Sequence, residues 1–292
     1  HSTRVAATGR REGYYTDYRG TPQELISCVK RAFLYQGQRY QWQDGPRGTP
    51  VLAEPAEQFI FFLQNHDQVA NQLRGDRLHQ KTGPGVYRAL TALLLLAPET
   101  PMLFMGQEFG ASAPFLFFAD FPVGELARQI HQGRKKFLAQ FPSYRSPEAQ
   151  SSIDDPRDPT VFERSKLDWS ERERHGADLQ LHRDLLRLRR EDPVIARQAR
   201  NRVDGAVIGP AAFVLRYAGD RGDDRLLLIN LGADCDYRPA PEPLLAPPVG
   251  GTWRLVWSSD APVYGGPGAI EPLTETGWVI PGGCAAFYSV QD

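Results

Sequence analysis

Phe59-Ile-Phe-Phe-Leu63 is a run of five apolar residues that stops abruptly at Gln64-Asn65-His66-Asp67, and Pro101-Met-Leu-Phe-Met105 repeats the arrangement before Gly106-Gln107-Glu108. Short, unbroken apolar runs bounded by polar residues are the pattern of strands buried on both faces, as in a parallel sheet. Between them, residues 85–97 are apolar almost all round, which suits a crossover helix packed on such a sheet. The order strand, helix, strand predicts an α/β repeat.

Parallel sheets present their reactive groups at the carboxyl ends of the strands, where loops face a cleft. Both predicted strands end in polar clusters containing a carboxylate, Asp67 in one and Glu108 in the other. With His66, Asn65 and Gln64 as hydrogen-bonding neighbours, the set suits sugar hydroxyls better than a phosphate or a metal. Tyr14, Tyr15, Tyr18, Trp42 and Phe115 are candidate stacking surfaces for pyranose rings. Plainer readings stand beside these. An Asp after a strand is often a helix cap, Glu108 could simply order its loop, and His66 could be a core histidine. Four polar residues after five apolar ones are, however, awkward to bury.

Outward from this centre, residues 1–49 are polar and rich in Tyr, Gly and Arg, and read as loop except for a helix over Thr21–Tyr35, capped by Thr21 and opened by Pro22. A helix is expected over Val123–Phe141, and the Pro/Asp/Ser-rich stretch from Ser143 to Pro159 reads as loop or linker. Phe115–Phe118 suit packing better than ligand binding. Leu179–Arg190 forms a helix with a leucine stripe, and Arg183, Arg187, Arg189 and Arg190 are most simply a solvated face near its end. Beyond Asp192-Pro193 the helical period disappears. Strand-like runs at Ala212–Tyr217, Arg225–Leu231, Thr252–Ser258 and Cys284–Val290 predict an antiparallel β domain over residues 193–292.

The chain has 292 residues, a formal net charge of −1 and a hydrophobic fraction of 41%. The balanced charge argues against a nucleic-acid partner, and the composition is that of a globular protein able to bury a core. No apolar run approaches the ~20 residues needed to span a bilayer, so no membrane partner is expected. Cys28, Cys235 and Cys284 are scattered, without CxxC spacing, and fit a reducing cytoplasm. No phosphate-binding glycine loop, metal ligand set or cofactor motif occurs, so cofactors and metal are expected to be none. The chain begins at His1 rather than Met, which suggests that an upstream part is missing.

The stretch Phe59-Ile-Phe-Phe-Leu-Gln-Asn-His-Asp-Gln-Val69, with Asn71 and Gly75-Asp-Arg-Leu78, together with Pro101-Met-Leu-Phe-Met-Gly-Gln-Glu-Phe-Gly110, Ser112, Pro114–Phe118 and Asp120, resembles the α-amylase superfamily. Within it, these residues, Arg11–Tyr18 and Ser165–Trp169 look most like the maltooligosyltrehalose trehalohydrolase family. The resemblance implies an α/β fold, the C-terminal part of a (β/α)8 TIM barrel over residues 1–192, followed by an all-β C-terminal sandwich domain. Phe59–Leu63 would be the seventh strand, Pro101–Met105 the eighth, and Leu179–Arg190 part of the last helix. It also implies Asp67 as the catalytic transition-state stabiliser. Substrate-binding residues would be His1, His66, Gln68, Asn71, Gln107 and Glu108, although Ala70 stands where a Gly is expected.

Retaining glycosidases need a nucleophile and an acid, both carboxyl groups, roughly 5–5.5 Å apart. In this family both follow earlier strands, so the expected partners are the N-terminal portion of the same enzyme and maltooligosyl trehalose or a related α-glucan. Other readings are a branching enzyme or amylase of the superfamily, a non-catalytic glucan-binding fragment, or a self-sufficient pair of Asp67 and Glu108.

Overall fold

The computed structural model describes residues 1–120 and 124–291. The first part contains helices α1 (Ser2–Thr8) and α2 (Pro22–Arg31) and a small hairpin of β1 (Arg39–Tyr40) with β2 (Gly45–Pro46). Next come β3 (Ile60–Phe61), α3 (His66–Ala70), α4 (Pro84–Leu96) and β4 (Thr100–Pro101). Helices α5 (Glu125–Leu138), α6 (Pro147–Ser151), α7 (Pro159–Ser165), α8 (Glu171–Arg174) and α9 (Gly176–Glu191) complete the mixed part. The β part consists of β5 (Val203–Val207), β6 (Ala212–Tyr217), β7 (Arg225–Asn230), β8 (Cys235–Tyr237), β9 (Thr252–Ser258), β10 (Leu273–Thr274), β11 (Gly277–Ile280) and β12 (Cys284–Gln291).

Strands β3 and β4 pair in parallel, Ile60 opposite Thr100 and Phe61 opposite Pro101. They are shorter than the apolar runs that announce them. Thr100 N donates to Phe59 O at 2.9 Å and Met102 N to Phe61 O at 2.8 Å, alternate donors between which the missing N–H of Pro101 costs this ladder nothing. Among the described residues this pair makes no further parallel partner, and no closed barrel is formed.

Helix α4 is buried continuously from Tyr87 to Leu96. Gly83 precedes it and Pro84 opens it, a position where the missing N–H costs nothing. Its leucines meet Phe61 and Leu63 from the strand pair, Leu181 and Leu185 from α9, and Phe213, Leu227, Ile229 and Phe287 from the five-stranded sheet. That sheet has the order β5-β6-β7-β12-β9 and is antiparallel throughout. Alternation along its strands explains the layering. Phe213, Leu215, Leu227, Ile229, Ala285 and Phe287 face the helices, while Val214, Leu226, Leu228, Ala286 and Tyr288 face Trp278 and Ile280 of the sheet β10-β11-β8. The β part is thus two-layered, and its inner face shares one core with the helices.

Polar pins fix this contact. Arg88 of α4 is buried, donates from Nε to Ser259 O at 2.8 Å and lies 3.4 Å from the buried Asp260 carboxylate. At the N-terminus of α4 the chains are close enough that a Cβ on Gly85 would stand 2.7 Å from Gly283 O. Arg189 is not on a solvated face, as the charge pattern suggests. It is buried and donates to Leu95 O at 3.0 Å and Glu99 O at 2.7 Å, satisfying carbonyls at the end of α4. Arg183, Arg187 and Arg190 are exposed.

Several boundaries differ from the sequence reading for identifiable reasons. Helix α2 ends at Arg31 rather than Tyr35, because Ala32 adopts a left-handed conformation with φ of 67°. Residues 2–8, expected as loop, form a helix closed by Gly9 at φ 66°, whose N–H donates to Val5 O. The linker-like stretch contains α6 and α7, each opened by proline and capped by Ser146 or Asp158; helices this short show no periodicity. The expected helix start at Val123 lies outside the described residues.

Between α4 and β4, Glu99 is fully buried, and neither carboxylate oxygen has a hydrogen-bond partner among the described residues. The closest cation is Arg200, whose Nη1 lies 4.0 Å away. Burial pushes the Glu99 carboxyl up to about 7, against a partial opposing pull from Arg200 and Arg189. The folded state therefore holds a proton that the unfolded chain releases at lower pH. This contribution is fully present below about pH 4.5 and is lost as pH rises through about 7. By denaturant titration, the stability is expected to fall by about 3 kcal/mol from this group between pH 5 and 8, and Glu99→Gln should flatten that slope; an unchanged slope in the variant would contradict the assignment.

Candidate active site

The chain leaves β3 through Leu63 and turns directly into α3. Asn65 is the N-cap: its Oδ1 accepts from Gln68 N at 3.0 Å. That places His66 and Asp67 in the first turn with side chains about two-thirds exposed, His66 Nε2 3.6 Å from Asp67 Oδ1. His66 is therefore not a core histidine. Gln68 points inward and is buried, with its Oε1 unpartnered among the described residues.

Asn71 closes α3. Its Oδ1 accepts from Arg134 Nη1 of α5 at 2.6 Å, and a second Arg134 nitrogen donates to Ala70 O. Arg134 is buried, lies 4.9 Å from the centre of the Phe117 ring, and is lowered by burial to about 10. Tyr14 stands beside Asn71 and in the field of Asp67, its hydroxyl raised above the ordinary range by burial. The Tyr14 hydroxyl donates to that of Tyr15 at 3.3 Å. The ring of His1 packs on Tyr14, Tyr15 and Tyr18 at centroid distances of 5.2, 5.0 and 4.9 Å. His1, Tyr14, Asp67 and Asn71 thus gather into one neighbourhood. Tyr15 and Tyr18 are buried in an aromatic cluster, whereas Trp42 is exposed.

The loop after β4 is built differently. Gln107 is fully buried, its Oε1 accepting from Phe104 N at 3.3 Å and its backbone oxygen from the Tyr87 hydroxyl. Glu108 is half-buried one residue further on. Phe115 packs edge-on against Phe104 and Phe118, and Leu116 is buried.

Arg77 joins the two loops. It is fully buried, donates from Nε to Ala113 O and from Nη1 to Met105 O, both at 2.7 Å, and lies 5.3 Å from the centre of the Phe104 ring. Burial lowers its pKa, with Tyr87, Glu108 and Glu171 opposing. Around it, Phe115 N donates to Gly75 O at 3.0 Å, Gln80 Nε2 to Ser112 O at 3.0 Å and Leu78 N to Gln64 Oε1 at 2.8 Å. Gly75 has φ of 62°, and a Cβ there would lie 2.6 Å from Phe115 O, so the seam also requires its glycine.

Sequence reasoning singles out neither Arg77 nor Arg134 as a functional residue. Arg134 leaves a signal, since it falls on the stripe of Ile130, Phe137 and Leu138, where a charged residue has to find buried acceptors. Arg77 leaves none beyond its place between Gly75 and Leu78. No group of three or more His, Cys, Asp or Glu side chains that could hold a metal occurs among the described residues.

A family model described as a domain of unknown function, DUF3459, matches residues 200–278. The malto-oligosyltrehalose trehalohydrolase of Deinococcus radiodurans is 41% identical over 238 residues, 80% of this chain and 38% of that protein. That of Arthrobacter ramosus is 39% identical over 199 residues, 67% of this chain and 34% of that protein. A crystal structure of a provisionally assigned alpha amylase from Salmonella typhimurium superposes with a TM-score of 0.77 at 30% identity, covering 99% of this chain and 45% of that chain. The chain therefore spans a little over a third of the length of these curated relatives. The superposition with that structure extends over both the mixed helical and sheet part and the β part of this chain.

The seam makes a specific demand on residue 77. Lysine keeps the charge but not the planar fork that reaches Ala113 O and Met105 O together. Arg77→Lys is expected to cost about 1–3 kcal/mol through the orphaned carbonyls, read as a lowered denaturation midpoint; a midpoint equal to that of the parent protein would contradict this role.

Proposed function

We propose that this chain, a homologue of the malto-oligosyltrehalose trehalohydrolases over the greater part of its length, is the C-terminal portion of a retaining glycoside hydrolase. The reaction is cleavage of the α-1,4-glucosidic bond next to the terminal trehalose of maltooligosyl trehalose, releasing trehalose in its biosynthesis. The observation that carries the reading is the match of 238 residues at 41% identity, which in a chain of 292 has to include both strand-end loops. In this reading residues 1–192 belong to a (β/α)8 barrel, with β3 and β4 as its seventh and eighth strands, and residues 193–292 form the C-terminal sandwich domain. The N-terminal portion of the same enzyme is the partner that brings the nucleophile and the acid. The three unpaired cysteines fit a cytoplasmic enzyme.

Cleavage passes through an oxocarbenium-like transition state, so a fixed negative charge beside the sugar is more valuable there than in the ground state. Asp67 is assigned that part. It sits in the first turn of a capped helix whose far end is held by Arg134, so it need not reorganise as charge develops. His66 hydrogen-bonds the same ring, Asn71 reaches the reducing-end side and His1 stands at the rim with Tyr14. Glu108 faces the sugar from the neighbouring loop. Gln68 and Gln107, both buried, act on the site from beneath.

In the full-length enzyme, Asp67→Asn is expected to reduce trehalose release by about 10³-fold while leaving the melting temperature unchanged, because the side chain is exposed. Turnover within tenfold of the parent enzyme would overturn the role of Asp67.

A further inference from the structure

We propose that Arg134 is a positioning residue of this sugar site: it holds Asn71 so that the amide NH2, and not the carbonyl oxygen, is presented to Tyr14 and the sugar. The inference rests on the functional reading above and adds a residue to it. A guanidinium has donors only. One Arg134 nitrogen donates to Asn71 Oδ1 at 2.6 Å, and another donates to Ala70 O. Turning the Asn71 amide over would set NH2 against the buried guanidinium, leaving a charged donor without its acceptor. Hydrogen bonds from a charged donor are roughly twice as strong as neutral ones, so the orientation is held firmly.

The held amide stands beside the Tyr14 hydroxyl, which gives its own proton to Tyr15 and leaves an oxygen for the Asn71 donor. Asp67 lies in the same neighbourhood. Helix α5 supports the arrangement, because Phe137 and Leu138 pack into the aromatic cluster of Tyr14, Tyr15 and Phe141. An arginine 63 residues further along the chain thereby sets the hydrogen-bonding polarity of a residue at the end of α3. The sugar atom that meets Asn71 has to be an acceptor: a hydroxyl or glycosidic oxygen.

The test uses the full-length enzyme with maltotriosyl trehalose and maltopentaose as alternative substrates. The products formed by the unmutated enzyme judge the functional reading: trehalose supports it, and maltose or a branched glucan rejects it. The variants judge Arg134 on whichever substrate is turned over. Asn71→Asp keeps an oxygen for Arg134 but removes the donor, and is expected to raise KM at least tenfold with kcat within threefold and the melting temperature preserved. Arg134→Met is expected to raise KM by a similar factor, and Arg134→Lys to restore part of it. A merely structural arginine would lower the melting temperature and leave KM alone. A KM within twofold of the parent enzyme in folded Arg134→Met, or in Asn71→Asp, overturns the proposal.

Discussion

Helix α4 has no polar face, and the rest of the fold is arranged around the need to cover it. From Tyr87 to Leu96 every side chain is buried. One fully buried leucine contributes roughly 2 kcal/mol relative to exposure, so this helix is a large share of the driving force. Two strands alone cannot cover it. The strand pair lies against part of it, α9 against another, and the inner face of the five-stranded sheet against the remainder. The β part is consequently a structural component of the α/β part: Arg88 with Ser259 and Asp260 pins the two together, while Arg189 ties α9 to the final carbonyls of α4.

The same constraint orients the chemistry. A parallel pair joined by a crossover helix sends both strands in one direction, so the loops that follow them emerge at the same end. The loops that carry Asp67 and Glu108 follow two parallel strands for that reason and not because of any local motif. What local structure adds is rigidity: Asn65 caps α3, Arg134 closes it, and Arg77 ties its loop to the one after β4. Asp67, in the first turn of α3, is thereby carried on a backbone held at both ends.

Much of this is legible in the residues. The two apolar runs with their polar ends predict the parallel pair, and strand-like runs between Gly/Pro turns predict β6 and β9 to the residue. The polar tetrad after Leu63 falls where β3 turns into α3, with Asn65 as the helix cap. Less legible are elements whose stability comes from distant partners. Val203–Val207 contains Asp204 and Gly205 and carries little strand pattern of its own, yet pairs along its whole length with β6. Arg77, Arg134 and Arg189 look like surface residues by type, but each is buried because it meets carbonyls from segments far along the chain. Nothing in a local window records where an orphan carbonyl will be. The extent of β3 and β4 is overestimated by the apolar runs because burial sets the run length, whereas a strand extends only as far as its ladder, here Ile60 opposite Thr100 and Phe61 opposite Pro101.

The central claim is that this chain holds the stabilising carboxylate while the bond-breaking carboxyl groups belong to the N-terminal portion of the same enzyme. The most direct measurement is trehalose release from maltotriosyl trehalose by the 292-residue chain alone and by the same chain joined to that portion. The account predicts none from the chain alone and stoichiometric trehalose and maltotriose from the joined protein. Cleavage by the chain alone would mean that Asp67 and Glu108 suffice, and would contradict it.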